Sequence, residues 1–175
     1  MPRNKPEDRV FSVLLAFLLI ATVILFIGGD FCTIDGASML PTLEDGDRIW
    51  AERVSYLLGA PRRGDIVLIR ARDGGGFVKR VIGLPGETVE IRGGRVLIGG
   101  KPLAEPYSCL DGEDFPRVTV PPGSYFVLGD NRPFSEDSRG RLGFIPRRAI
   151  RLRVAVRLWS RGSFRFFPRV RYAGD

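Results

Sequence analysis

The sequence predicts a mainly β protein: a coiled antiparallel sheet, or a barrel-like domain, behind one N-terminal transmembrane helix. From residue 65 onward, short apolar runs rich in β-branched residues alternate with Gly and Pro turns, the pattern of many short strands. No long amphipathic helical pattern competes with these runs. Residues 10–29 form an uncharged apolar run, and about 20 such residues suffice to cross the ~30 Å hydrocarbon core of a bilayer.

The charges that flank this apolar run orient it. Three basic residues lie within the first nine positions, and none follows the run before Arg48. Because basic residues are enriched on the cytoplasmic side of a membrane helix, the N-terminus is expected in the cytoplasm. The predicted parts are a cytoplasmic tail at 1–9, a single transmembrane helix at 10–29 and an exported domain at 30–175.

Two other interpretations of the N-terminal segment fit less well. A cleaved secretory signal has an apolar core of only about 7–15 residues, followed by small residues at the cleavage site. Here the run is longer, and the bulky Phe31 follows Asp30. Cys32 is not preceded by the aliphatic and small residues of a lipoprotein attachment site. A retained anchor is therefore expected.

The exported domain is predicted to contain several strands, each from a local pattern of β-branched and apolar residues. They are expected at 65–70, 77–82, 88–91, 95–98, 124–128 and 151–159. Gly93 and Gly94 predict a two-residue hairpin turn within a small β-ribbon near 88–118. The last strand alternates aliphatic residues with arginines, which predicts a half-buried strand with a basic outer face.

The composition excludes several classes of function. The chain has no histidine and only two cysteines, so a Ser-His-Asp triad is impossible and a zinc site is not expected. A general base must then be a carboxylate, a lysine or water. The net charge of +7 comes from arginines spread along the chain, which favours membrane lipid over nucleic acid as a partner. We expect no cofactor, no metal and no nucleic acid.

Two residues are candidates for chemistry. Ser38 lies in a stretch of small residues, where the plain alternative is a turn serine. Lys79 shares a strand face with Phe77 and Val81, because side chains two residues apart point the same way. Burial among apolar neighbours lowers the pKa of a lysine. The chain has only three lysines, which weakens the alternative that Lys79 is a generic surface charge. A third polar segment, 129–140, is typical of a turn-rich loop.

These segments resemble the successive sequence boxes of the bacterial type I signal peptidases, in the order of that family. The matching stretches are SMLPTL at 38–43, RGDIV at 63–67, KRVIGLPG at 79–86 and the loop at 129–146. Each stretch alone is a weak signal, but four in order behind an N-terminal anchor are specific. The resemblance implies a β-rich catalytic domain and a Ser/Lys mechanism.

The resemblance also implies a role for each matching residue. Ser38 is expected to be the nucleophile and to give its backbone N–H to the oxyanion, with Lys79 as the general base. Gly36 stands where some members have a serine, so the second oxyanion donor stays open. The supporting residues are Ser135, which would hydrogen-bond the lysine, and Asp130, Asp137 and Arg139, which would hold the loop.

The implied function is membrane-bound removal of N-terminal signal peptides from exported preproteins, with cleavage after small residues at −1 and −3. The implied location is the bacterial cytoplasmic membrane, with the catalytic domain on its outer side. Two alternatives stay open. One is a specialised Ser/Lys processing peptidase for conjugation or pilus subunits, and the other is a catalytically silent membrane-anchored binding protein.

The short distance along the chain between the apolar run and Ser38 predicts an active site near the membrane surface. The apolar Met39 and Leu40 are then expected to reach the lipid interface. The aromatic and arginine residues after position 158 fit either headgroup contact or closure of the β core. Pairing of Cys32 with Cys109 is left open.

Overall fold

The computed structural model describes residues 6–70, 75–109, 112–160, 163–168 and 172. It begins with a 22-residue helix, α1 (Pro6–Ile27). In a search of the described residues, no helix is both long and apolar enough to cross a membrane. The other helical elements in this part of the chain are short: α2 (Val54–Leu57) and 3-10 turns at Arg132–Phe134 and Arg147–Ala149.

Twelve strands are described, and they form two antiparallel sheets. In chain order they are β1 (Gly29–Thr33), β2 (Arg48–Glu52), β3 (Ile66–Arg70), β4 (Gly76–Gly83), β5 (Thr88–Arg92), β6 (Arg95–Ile98), β7 (Lys101–Pro102), β8 (Phe115–Thr119), β9 (Ser124–Leu128), β10 (Ile145–Pro146), β11 (Ile150–Ser160) and β12 (Ser163–Phe166). The larger sheet has the order β1-β2-β11-β3-β4-β9-β10, with β12 beside β11. Among the described residues its two edges do not pair, so this sheet is open. The mainly β, antiparallel fold is confirmed.

The smaller sheet has the order β7-β6-β5-β8 and corresponds to the predicted ribbon. β5 and β6 pair antiparallel, with Val89 opposite Ile98. The connecting Gly93 and Gly94 have φ angles of 56° and 74°, the left-handed backbone that a two-residue hairpin turn of this type requires. The predicted hairpin is confirmed.

Strand β11 corrects one expectation. Arg151 is exposed, but the Arg153 and Arg157 side chains are only 16% and 12% exposed. Arg153 pairs with Glu52 at 2.8 Å and Arg157 with Asp47 at 3.4 Å. The predicted basic outer face is wrong for these two residues, because the adjoining β2 region brings carboxylates against them.

Three apolar clusters form the core. The first, around β2 and β11, includes Met39, which is only 1% exposed. The expectation that Met39 reaches lipid is therefore wrong, because the loop turns this side chain inward to fill the core. Leu40, the next residue, is half-buried.

Candidate active site

Ser38 lies in the loop between β1 and β2, and the fold holds this loop from two sides. On the inner side, Met39 and Leu43 are buried, and the Leu43 N–H donates to the Met39 carbonyl at 2.9 Å. On the other side, the Asn131 side-chain amide donates to the Ala37 carbonyl at 2.9 Å. The Asn131 backbone N–H donates to the Ser38 carbonyl at 3.1 Å. Ser38 is thus fixed through its own backbone.

Lys79 lies in the middle of β4 and points at Ser38. Its side chain is buried, with the residue 3% exposed. Nζ donates to Ser38 Oγ at 2.8 Å and to the Val78 carbonyl at 3.1 Å. Phe77 lies beside it, with the ring centroid 6.0 Å from Nζ. Within the described residues, no carboxylate forms a hydrogen bond or an ion pair with this ammonium group.

The burial of Lys79 favours its neutral form. Burial lowers the pKa of Lys79 below its ordinary 10.5, because the apolar site disfavours the ammonium. The charges of Asp137, Asp130 and Glu136 act in the opposite direction, but the effect of burial is larger. A neutral amine within hydrogen-bonding distance of a serine hydroxyl is the arrangement that a lysine general base needs.

Arg80, the next residue on β4, is buried on the opposite face in a different setting. Its Nε and Nη2 bind the two oxygens of Asp130 at 2.8 and 2.6 Å. The Tyr107 ring stacks on the guanidinium, with its centroid 3.8 Å from Cζ. Asp130 also accepts the Thr42 hydroxyl. Asp130 therefore ties the Ser38 loop to the strand that carries Lys79.

The loop after β9 contains the Asp137–Arg139 pair. Arg139 Nε lies 2.9 Å from Asp137 Oδ1, and the Asp137 side chain is fully buried. Asp137 Oδ2 also accepts the Gly129 N–H at 3.1 Å. The structure thus brings these two residues together across the loop, in the arrangement that the resemblance implies. Asp130 supports the same site through its hydrogen bonds with Arg80 and Thr42.

Ser135 does not make the expected contact. Its hydroxyl is buried and has no hydrogen-bond partner among the described residues, so the hydrogen bond to Lys79 is absent. The hydroxyl packs instead against Gly129: a Cβ added at Gly129 would lie only 2.2 Å from it. The same Cβ would lie 2.5 Å from the Ser38 carbonyl oxygen.

Four contributors to the site were not singled out from the sequence: Gly129, Asn131, Arg80 and Thr42. Gly129 is required because two backbone segments approach too closely for any side chain. The turn-rich 129–140 pattern pointed to the segment, but no local signal distinguished Asn131 within it. Arg80 was expected only to point away from Lys79. The alternation of side chains along one strand does not predict which residues pack against the opposite face of that strand.

The Ser38 backbone N–H makes no hydrogen bond in the described part of the chain, so it remains able to bind an oxyanion. The Gly36 N–H is already engaged, because it donates to Asp45 Oδ1 at 2.8 Å. The structure therefore identifies no second donor at Gly36. Among the described residues, no group of three or more Cys, Asp or Glu side chains is arranged to hold a metal ion.

An open cleft leads to the Ser38–Lys79 pair, and its apolar walls include Ile34, Leu68 and Phe77. β4 borders the cleft. It pairs with β3 along the whole of β3, but its pairing with β9 begins only at Arg80. The backbone edge of β4 before Arg80 is therefore unpaired beside the cleft, within the described residues.

The structure settles the question of a disulfide between the two cysteines. Cys32 and Cys109 are both free thiols, so they do not pair.

The aromatic residues near the C-terminus differ in their exposure. Phe164 and Phe166 are 66% and 73% exposed, whereas Phe167 packs against the first core cluster. The side chain of Trp159 lies outside the described part. Neither headgroup contact nor core closure accounts for the whole segment.

Comparison with known proteins assigns the family. The profile of the signal peptidase, peptidase S26 family matches residues 8–159. The chain belongs to the bacterial type I signal peptidases, a family of serine endopeptidases. A Signal peptidase I of Leptolyngbya laminosa is 47% identical over 137 residues, which cover 72% of this chain and 66% of that protein. A Signal peptidase I of Bacillus caldolyticus is 38% identical over 179 residues, 94% and 97% of the two chains.

Among solved structures, a signal peptidase I from Enterococcus faecalis V583 is 39% identical, with a TM-score of 0.45. It covers 53% of this chain and 94% of the other. Signal peptidase membership means that preproteins with signal peptides are the substrate class. It also disfavours the alternative of a catalytically silent binding protein.

Proposed function

We propose that the chain cleaves signal peptides from preproteins with Ser38 as nucleophile and Lys79 as general base. The observation that carries this proposal is the 2.8 Å contact between Lys79 Nζ and Ser38 Oγ, made by a lysine that is 3% exposed. Burial lowers the pKa of this lysine. A carboxylate partner would hold the proton on the amine, and none contacts it among the described residues.

The reaction follows from this geometry. Neutral Lys79 takes the proton of Ser38 Oγ as the oxygen attacks the scissile carbonyl. The Ser38 N–H donates to the oxyanion that forms, and one such donor contributes roughly 2.7–4 kcal/mol of transition-state stabilisation. Lys79 then gives its proton to the leaving amine, and an acyl group remains on Ser38. Water, deprotonated by Lys79, hydrolyses this ester.

The cleft supports recognition of an extended substrate. The unpaired edge of β4 allows a peptide to add as a further strand, with main-chain hydrogen bonds for affinity. In such a strand the residues at −1 and −3 point to the same side. The cleft has apolar walls that include Ile34, Leu68 and Phe77, and we infer that these walls face the −1 and −3 side chains and exclude bulky ones.

Membrane anchoring by residues 10–29 is part of the proposal. What supports it is an uncharged apolar sequence in a helix whose large apolar side chains between Val10 and Ile20 are exposed. The exposures of Val10, Phe11, Leu14, Phe17 and Leu19 are 61%, 68%, 63%, 73% and 66%. The basic N-terminal sequence favours a cytoplasmic location for that end and an outer location for the catalytic domain.

The test uses the detergent-solubilised full chain and a preprotein with Ala at −1 and −3. We expect one cut after −1, located by mass spectrometry. Ala→Leu at −1 should stop cleavage, whereas the same change at −2 should have little effect because that side chain points away from the cleft walls. Equal rates for all three substrates would overturn the proposed specificity.

A second assay addresses the dyad itself. An acylating inhibitor should label Ser38, and Lys79→Ala should abolish the labelling. Labelling that survives in Lys79→Ala would mean that another group activates the serine. A specialised peptidase for conjugation or pilus subunits would cut its own precursor and leave a general preprotein intact.

A further inference from the structure

Arginine side chains converge on one pocket beside the end of α1, here called the arginine pocket. Its basic lining residues are Arg53, Arg70, Arg147, Arg148 and Arg151. Asp30 is the acidic residue in the lining, and it pairs with Arg53 at 3.5 Å. The pocket therefore carries a large excess of positive charge.

The charge of this pocket is not neutralised within the described protein. Arg70, Arg148 and Arg151 are exposed, and their side chains make no ion pair or hydrogen bond with described residues. Arg53 adds a buried Nε atom that also lacks a hydrogen-bond partner there. By contrast, carboxylates pair with arginines that are largely buried elsewhere in the fold: Arg80, Arg132, Arg139, Arg153 and Arg157.

One wall of the arginine pocket is preorganised. Arg147 donates to the Tyr56 carbonyl at 2.9 Å and to the Ile150 carbonyl at 3.2 Å. Its guanidinium lies 5.1 Å from the centroid of the Tyr56 ring. Guanidinium groups match phosphate oxygens in geometry and charge. A fixed arginine among unpaired ones fits a phosphate ligand.

The position of the pocket indicates an amphiphilic ligand rather than a free anion. The Arg53 N–H donates to the Gly28 carbonyl at 2.6 Å, directly after α1. Leu57 and Leu58 are 75% and 85% exposed in and just after α2, and Leu57 lines the pocket. Two neighbouring leucines left in solvent beside a cationic pocket match a molecule with both an acyl chain and a phosphate.

The pocket also adjoins the catalytic cleft. Leu68 on β3 lines both the arginine pocket and the cleft of Ser38 and Lys79. Arg70, two residues further along β3, lies on the same strand face. A ligand bound in the pocket would therefore fix how the cleft is oriented at the membrane surface.

We propose that the arginine pocket binds the phosphodiester headgroup of an anionic glycerophospholipid, with Leu57 and Leu58 against its acyl chains. This inference rests on the proposed anchoring by α1, which brings the pocket to headgroup level. The bound lipid holds the catalytic cleft next to the point where a membrane-inserted substrate emerges.

The test is native mass spectrometry of the full chain in detergent with equimolar dioleoyl phosphatidylglycerol and dioleoyl phosphatidylcholine. We expect the wild type to retain phosphatidylglycerol selectively. The variant Arg70→Gln/Arg148→Gln/Arg151→Gln should retain it at least about tenfold less, since each basic residue contributes separately to anionic lipid binding. The matched control, Arg92→Gln/Arg95→Gln/Arg117→Gln, removes the same charge from exposed positions of the smaller sheet and should bind like the wild type.

Other outcomes overturn the assignment. Equal lipid retention by the wild type and the pocket variant would show that the pocket does not bind the lipid. Equal loss of lipid retention in both triple variants would show that only the net charge of the protein matters. Displacement of the lipid by equimolar inorganic phosphate or by an acidic peptide would assign the pocket to those ligands. Near-ultraviolet circular dichroism checks that each variant is folded, and Arg148→Gln alone gives a milder second variant. The lipid readout does not need peptidase activity, so its failure is distinct from failure of the Ser38–Lys79 proposal.

Discussion

Lys79 and Arg80 are neighbouring cations on β4, and the two faces of the strand bury them in opposite ways. Arg80 is 5% exposed and meets Asp130 through two hydrogen bonds. Lys79 is 3% exposed, and its polar partners among the described residues are the Ser38 hydroxyl and the Val78 carbonyl. One cation is neutralised by a carboxylate, and the other is desolvated without one.

The difference shows how one strand can supply both structure and chemistry. Asp130 and the stacked Tyr107 keep Arg80 charged and fix it in place, and the pKa of Arg80 rises even though burial opposes that rise. At Lys79 burial outweighs the opposing charges of Asp137, Asp130 and Glu136, so the pKa of Lys79 falls. The arginine face holds the Ser38 loop through Asp130, and we propose that the lysine face accepts a proton.

The largest expected effect comes from the lysine face. Ser38→Ala and Lys79→Ala should each lower kcat by about 10⁴-fold or more, as for other serine peptidases that lose the nucleophile or base. Lys79→Arg should lower kcat by a similar factor, because guanidinium stays protonated and cannot accept the serine proton. Peptide cleavage measures this, with Lys101→Arg as the control. Substantial turnover by Lys79→Arg would contradict the role of Lys79 as base.

The arginine face should respond through stability. Asp130→Asn leaves the Arg80 charge buried and uncompensated, which typically costs about 3–5 kcal/mol of unfolding free energy. Chemical denaturation in detergent measures the loss. Arg117→Gln removes a partner of an ion pair whose arginine is 62% exposed, and it should change stability little. Equal losses of stability in the two variants would contradict the view that burial makes the Arg80–Asp130 pair more important than the exposed Arg117–Glu90 pair.

Gly129 lies where the two loops of the site meet, and it offers a smaller perturbation. A Cβ there would lie 2.5 Å from the Ser38 carbonyl oxygen, and overpacking of this kind costs about 1–3 kcal/mol. Because the clash pushes on the Ser38 backbone, Gly129→Ala should also lower kcat more than stability alone explains. Gly59→Ala, whose Cβ would have an ordinary 3.6 Å contact, is the matched control. Wild-type kcat in Gly129→Ala would mean that the Ser38 loop tolerates displacement.

The smallest effect concerns pH. The pKa of Lys79 is lower in the folded state than in the unfolded chain, so the wild type is destabilised wherever the folded protein must hold the ammonium. That cost is complete below the folded-state pKa, and it disappears as pH rises through the folded pKa towards the unfolded value. Lys79→Met should therefore stabilise the protein more at pH 6 than at pH 10. Thermal unfolding at both values checks this, with replacement of the exposed Lys101 by Met as the control for loss of a lysine. A gain that did not depend on pH would point to packing alone.

Local sequence patterns predicted much of the sheet but little of its assembly. β3, β4 and β9 agree with the predicted ranges within one residue, because each is an apolar run bounded by turn residues. β1 and β2 had no such signal. The ion pairs of Arg153 and Arg157 join residues 101 and 110 positions apart, so alternation within one strand indicated a solvated face instead.

For the candidate site, too, the sequence predicted which residues take part better than it predicted how they are arranged. Ser38 and Lys79 were named from a resemblance and from strand alternation, and the fold brings them together across 41 positions. Met39 was assigned to lipid because apolar residues beside an active site fit that role, but its direction depends on a loop conformation that the sequence does not specify. Ser135 was assigned a bond to Lys79, yet its hydroxyl packs against Gly129 because that glycine leaves room for it.

The most direct test of the account is the titration of Lys79 itself. The chain has only three lysines, Lys5, Lys79 and Lys101, so lysine labelled with ¹³C and ¹⁵N gives three side-chain signals in the full-length protein. The Lys79→Met variant assigns its signal by absence. Lys79 should titrate clearly below the ordinary lysine value of about 10.4, as burial without a carboxylate partner requires. A Lys79 signal that titrates at the ordinary value would contradict the claim that burial makes Lys79 a neutral base.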